Sequence, residues 1–198
     1  MTLPGRWRIV KQEAACEEKC KDLDMTEDQG FPDVRWGKSH TALARAGQRF
    51  VGTRPGSWTV RTLVPVDRWV LTKSQGKFTA LGPFGSPLLL LTATGAKSGL
   101  PRTTPLVYLL DGDRILVVGS NFGQEHHPAW STNLLAHPDA TVTIGGITYP
   151  VHARLLDGDE RIAGWHKFEE AARPYQVYGT RTDRTMRVFA LSRRSVTL

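Results

Sequence analysis

Cysteine is nearly absent. The 198-residue chain has two, Cys16 and Cys20, four apart in a polar segment. Without a nearby histidine or a second cysteine pair they do not make a zinc site, and they read as reduced bystanders. Long apolar runs are missing too. No stretch approaches the roughly 20 residues that a bilayer core demands, and the start of the chain lacks the continuous apolar stretch of a secretory signal. The simplest expected location is cytoplasmic. There is no internal repeat and no G-x-G-x-x-G. Acidic residues become scarce after residue 40. Residues 1–40 hold 7 Lys and Arg against 8 Asp and Glu, whereas residues 41–198 hold 19 against 11, which accounts for the net charge of +7. A pI near 9.7 points to acidic partners.

The stretch TATGAKSGLPR at 92–102 sets Gly, Lys and Ser together after the apolar run PLLLL. It is not a P-loop. That motif needs Gly directly before Lys and a second Gly five residues earlier, but Ala96 separates Gly95 from Lys97 and Leu91 stands at the earlier position. Pro101 and the alternating stretch 102–110 predict another strand, whereas a P-loop feeds a helix whose N-terminus faces the phosphates. The stretch reads as a strand-turn-strand anion site.

Composition divides the chain into three. Residues 1–38 have no clear period and end in the breaker-rich QGFPD, so they read as a weakly ordered extension with a short helix from Glu13 to Asp22. Residues 39–80 form a basic amphipathic helical segment, capped by Ser39 or Thr41. Residues 41–80 carry seven basic side chains against the single Asp67. They interleave Val60, Leu63, Val64, Trp69, Val70 and Leu71, the profile of a helix lying on an anionic membrane; packing of that face on a core is the alternative. Residues 81–198 change to strands. LLLLTAT, RTTPLVYLL and RILVVGS are short β-rich runs, with DGD at 111–113 as a tight turn. ATVTI, Gly145-Gly146 and ITYPVHARLL make a second hairpin. A helix is expected from Ala129 to Ala136 between Pro128 and Pro138, another from 158 to 172, and a last strand near Arg187 to Ser192. Meandering strands with two inserted helices imply a mainly β fold, a small antiparallel barrel.

The run from LLLLTATGAKSGLPR through NFGQEHHPAWSTNLLAHPDATVTIGG, followed by PYQVYGTRTDR, resembles the deazaflavin-dependent nitroreductase and quinone reductase family, which has a flavin-type split β-barrel and uses reduced coenzyme F-420. The resemblance covers about residues 80–195. It implies hydride transfer from a reduced 8-hydroxy-deazaflavin to a quinone, with nitroaromatics as adventitious acceptors. That cofactor carries a phosphodiester and an acidic glutamate tail. Lys97, Ser98 and Arg102 suit the phosphate, since Arg engages two oxygens at once and Gly lets the backbone approach.

The cofactor positions implied by the resemblance are Ala96, Lys97 and Ser98; Arg102, Thr103, Thr104, Pro105, Leu106 and Val107; Val118, Gly119, Ser120 and Asn121; and Ala129, Trp130, Ser131, Thr132 and Asn133. Trp130 packs either on the cofactor or in the core. Relatives often have a cation where Ala96 stands. Tyr175 and Tyr178 fall in a loop that the resemblance places over the ring. Tyr175 matches the position that activates substrate by a hydrogen bond, Tyr178 lines the pocket, and Ser120 is a further candidate catalytic hydroxyl. The adjacent His126 and His127 point apart and are read as caps or tail contacts; no metal is expected.

The expected partners are a small quinone or nitroaromatic acceptor and an anionic membrane surface, but no nucleic acid. The protein is expected to be a cytoplasmic monomer or homodimer, with peripheral attachment at the inner face of the membrane as the further option. An FMN- or haem-binding split barrel, and a basic binding module on a membrane or nucleic acid, are the competing readings.

Overall fold

The computed structural model describes residues 30–34 and 87–194 continuously, and scattered positions between 46 and 73. The helix expected from Glu13 to Asp22, and most of the spans 1–38 and 39–80, lie outside the described residues. The chain divides into two units at Gly30 and Phe31, and every element below belongs to the second.

Six strands close into one antiparallel barrel. They are β1 (Leu88–Thr94), β2 (Pro101–Asp111), β3 (Arg114–Val118), β4 (Asp139–Ile144), β5 (Ile147–Leu155) and β6 (Val188–Arg193), arranged β1-β2-β3-β6-β5-β4. Helix α1 (Ala129–Ala136) follows β3, and α2 (Gly158–Ala171) and α3 (Arg173–Gly179) separate β5 from β6. The two hairpins turn where the sequence placed them. Gly112 sits at φ 68°, and Gly145 and Gly146 at 59° and 92°, a left-handed region that residues with a β-carbon adopt at a cost.

Period-two alternation builds two apolar layers. Leu89, Leu91, Tyr108, Ile115, Val117, Val142, Ile144, Val151, Phe189 and Leu191, drawn from all six strands, fill the barrel interior. The intervening Leu116, Val118, Val188 and Ala190 join Leu156, Phe168, Tyr178 and Met186 in a second cluster under α2 and α3. A β-carbon at Gly164 would stand 3.1 Å from Val188 Cγ1, so glycine lets α2 approach β6 closely. Trp130 and Leu134, four apart on one face of α1, point into the interior.

Phe31 to Val34 pack on this barrel, although they fall within the span read from sequence as an extension. Phe31 is buried, and Arg193 lies over its ring and that of Tyr149, with its guanidinium 5.2 and 4.4 Å from the two centroids. The fully buried Tyr108 donates its hydroxyl proton to the Pro32 carbonyl at 2.6 Å and accepts from the Val34 amide at 3.0 Å. Removing the hydroxyl leaves both backbone groups unmatched. Tyr108→Phe is therefore expected to lower unfolding free energy by roughly 1–3 kcal/mol, measured by urea denaturation.

At the described positions between Ala46 and Lys73 the backbone is helical, apart from a bend at Thr53. Thr53 accepts the Gly56 amide at 3.1 Å, the bond a capping residue makes to the third helical position. No helix among the described residues is long and apolar enough to cross a membrane.

Candidate active site

The turn between β1 and β2 is built from its own backbone. The Gly95 amide donates to the Leu100 carbonyl at 2.9 Å, and the Gly99 amide to the Gly95 carbonyl at 2.8 Å. Gly99 has φ 64°, a backbone angle that favours glycine, and a β-carbon at Gly95 would stand a tight 3.2 Å from the Leu100 carbonyl oxygen, so glycine also eases the closure of the turn at that end. Lys97, Ser98 and Arg102 are exposed. Neither Lys97 nor Arg102 has an ion-pair partner among the described residues. The Ala96 amide donates to Asn133 Oδ1 at 3.0 Å, which fastens the turn to α1. Two stretches far apart in sequence, 96–98 and 129–133, thus form one edge.

Behind that turn the candidate positions of β2 are half-buried from Thr103 to Val107, with Thr103 hydrogen-bonded to Thr92 at 2.9 Å. They pair with β1, not with β3, whose register with β2 begins at Tyr108 opposite Val117. Stretches 102–107 and 118–121 are therefore not neighbours in one ladder. They meet instead through packing, since Val107 and Val118 share the second apolar cluster.

After Val118 the chain leaves the sheet. The Gly119 amide donates to the Arg187 carbonyl at 2.8 Å. Asn121 and Phe122 both have positive φ, 46° and 57°, and such positions persist only where the surroundings hold them. Here the holder is Arg184. It donates from Nη2 to the Ser120 carbonyl at 2.6 Å and from Nε to the Gln124 carbonyl at 2.7 Å. Its Nη1 lies 3.1 Å from His127 Nδ1. Because Arg only donates, Nδ1 must accept, which requires an imidazole unprotonated at that nitrogen. Burial, then the charges of Arg187 and Arg184, push the His127 pKa down in the same sense.

In α1 no side chain caps the first turn. The Trp130 ring is buried, 5.7 Å from that of Phe189, and belongs to the barrel core. Ser131 is fully buried and donates to the Pro128 carbonyl at 2.8 Å. Ala129 and Thr132 are exposed and Asn133 is half-buried.

Tyr175 and Tyr178 lie on a helix, α3, not in the loop expected from sequence. Pro174 near its start supplies a backbone angle already suited to a first turn. The Tyr175 ring makes edge contacts with Trp165, Phe168 and Tyr178 at centroid distances of 6.2, 5.2 and 5.9 Å. Tyr178 is buried and in edge contact with Phe122 at 5.8 Å. This aromatic row joins α2 to the Ser120 loop. Burial, with the Tyr178 phenol adding to it, pushes the Tyr175 pKa well above its ordinary value. Tyr175 stays protonated and can only donate its proton or accept at oxygen.

Residues 65–193 match the sequence model of a family described as F420H(2)-dependent quinone reductase. The chain belongs to this family. A member named F420H(2)-dependent quinone reductase, from Mycobacterium tuberculosis, is 39% identical over 115 residues, which span 57% of this chain and 77% of the relative. A solved structure described as an F420-H2 dependent reductase is 39% identical over 54% of this chain and 94% of its own, with a TM-score of 0.50. Another, described as a domain-swapped dimer, is 35% identical over 65% of this chain and 99% of its own, with a TM-score of 0.51. Membership makes the chain an oxidoreductase dependent on the reduced deazaflavin coenzyme, and the closed six-stranded barrel is the split barrel that the resemblance implied.

The residues present fit an anionic coenzyme. Among the described residues Lys97 and Arg102 have no ion-pair partner beside the backbone turn, and two further guanidinium groups, Arg184 and Arg187, contact the Ser120 carbonyl and the Ser131 and Thr132 hydroxyls of α1. For a family member the last two are the residues that sequence reasoning passed over. Their signal was the spacing Arg181, Arg184, Arg187, in threes after Tyr178, within a motif quoted for its resemblance but assigned no contacts. Arg184 also borders a cleft of about 490 Å³ lined by Glu125, Thr180, Arg181, Thr182 and Asp183.

Proposed function

We propose that the chain holds the reduced deazaflavin along Ala96–Ser98, Arg102–Val107, Val118–Asn121 and Ala129–Asn133, and delivers a hydride to a quinone drawn from the membrane, with nitroaromatics as adventitious acceptors. The observation that carries this reading is the placement of Tyr175. It packs against the same apolar cluster as Val107 and Val118, so a proton donor of raised pKa adjoins the proposed wall. The bound coenzyme supplies the hydride. Lys97, Arg102 and the backbone of the turn hold its anionic part, Val107 and Val118 give the flat ring an apolar backing, and Trp165 and Phe168 orient the half-buried Tyr175 ring through edge contacts. Tyr175 donates a hydrogen bond to the acceptor oxygen as negative charge builds there, and Ser120 is the alternative donor.

The helical positions ahead of the barrel support a membrane source for the acceptor. Phe50, Trp58, Leu63 and Val66 are 50, 64, 45 and 53% exposed, in a span whose sequence is strongly basic. Exposed large apolar side chains among cations suit the interface of an anionic bilayer, where each basic residue contributes about 1 kcal/mol. Co-sedimentation with vesicles tests this directly. The protein is expected to partition to anionic vesicles, to release with salt, and to bind more weakly after Trp58→Ser. Equal partitioning to neutral and anionic vesicles would leave the span an ordinary surface.

A further inference from the structure

Arg187 occupies a place between two parts of the proposed wall. Its carbonyl accepts the Gly119 amide at 2.8 Å, while its Nη1 reaches Ser131 Oγ at 3.3 Å and Thr132 Oγ1 at 3.5 Å. Both side-chain contacts lie at the long limit of a hydrogen bond, so they orient the guanidinium without satisfying it. Of its five donors, those on Nε and Nη2 are unengaged among the described residues. Among the described residues no carboxylate forms an ion pair with Arg187 or Arg184, although Glu125 and Asp183 line the cleft that Arg184 borders. Arg184 touches His127, which is held as a neutral acceptor. Both guanidinium charges act on His127, and Arg187 alone also reaches the buried Ser131 and exposed Thr132 hydroxyls, with donors to spare.

We propose that Arg187 is an oxyanion-binding residue, receiving a phosphate or carboxylate oxygen beside Thr132 while Arg184 holds the flanking loop and adds its charge. A guanidinium presents paired N–H groups matched to two oxygens of such an ion, and a neighbouring hydroxyl supplies a third donor. The ligand is the acidic chain of the coenzyme or an anionic group of another small molecule. The proposal rests on the reading that 118–121 and 129–133 wall the coenzyme, but its first test does not.

Inorganic phosphate is titrated into the full chain and the His127 side-chain signals are followed by NMR. Saturable shifts are expected. Arg187→Gln should weaken phosphate binding at least about tenfold, the loss of one charge-assisted contact, while Arg187→Lys retains part of it. Unchanged thermal midpoints show that the variants fold, and the lysine variant keeps the comparison open if the glutamine variant does not. The deazaflavin is then titrated with and without its acidic chain. Weaker binding of the intact form alone in Arg187→Gln identifies that chain as the ligand. Lost phosphate binding with both deazaflavin forms unaffected supports the site and assigns it to another anion. If Lys97→Ala and Arg102→Ala leave coenzyme affinity intact while phosphate binding still needs Arg187, the proposed function fails and this site stands. Phosphate and coenzyme affinities both unchanged in Arg187→Gln would overturn it.

Discussion

Tyr175→Phe is expected to slow oxidation of the reduced coenzyme by a quinone about a hundredfold, the effect of losing one preorganised donor worth on the order of 3 kcal/mol once bound coenzyme and acceptor cover the half-buried phenol. Coenzyme affinity should change little. The ring keeps its edge contacts with Trp165, Phe168 and Tyr178, so the substitution removes an oxygen and not the packing. The raised pKa of the phenol adds a sign. A group that stays protonated across the working range gives a rate with no alkaline loss assignable to Tyr175, whereas a phenol titrating near its ordinary value would give one. Tyr178→Phe is the control. Tyr178 is buried against Phe122, and its loss of hydroxyl should slow the reaction far less. Stopped-flow traces of the two variants against the unmodified protein check the order. Equal slowing in both would point to the aromatic row as a packing unit and move the proton to Ser120 or water.

The second large effect belongs to the anion turn. Lys97→Ala and Arg102→Ala should each raise the coenzyme dissociation constant about tenfold, the low end for a charge-assisted contact because both side chains are exposed. The affinity of the unmodified protein should also fall with salt, since exposed charges are screened over about 10 Å at moderate ionic strength. In the double variant that salt dependence should largely vanish. Fluorescence titration at two ionic strengths measures both effects, and a steep salt dependence surviving the double substitution would place the phosphate elsewhere.

How far the sequence reached depends on how local each determinant is. The strands were legible because alternation is written in neighbouring residues: Ile115 and Val117 fall to the interior while Leu116 and Val118 fall to the helices. Pro128 and Pro138 bracketed α1 for the same reason. Helix α3 was read as a loop because seven residues with Pro174 and Gly179 carry too little periodicity to outweigh two breakers, although proline at a helix start was the available clue. The anion turn was legible from Gly, Lys, Ser and Arg in one short run. Its bond to Asn133 was not, since the two residues are 37 positions apart. Arg184 is the extreme case. Its clamp on Ser120 spans 64 residues, and only the closed barrel, by setting β6 beside β3, brings the two together.

The most direct measurement is anaerobic single-turnover oxidation of the reduced deazaflavin by a quinone, with reduced FMN in a parallel cell. The site described here predicts fast, enzyme-dependent oxidation of the deazaflavin that saturates as its anionic part fills the turn, and little or no enzyme-dependent acceleration with FMN, which offers a terminal phosphate to Lys97 and Arg102 but no acidic chain beyond it. Acceleration of FMN oxidation by the protein as large as that of the deazaflavin, or oxidation of the deazaflavin no faster than without protein, would contradict it.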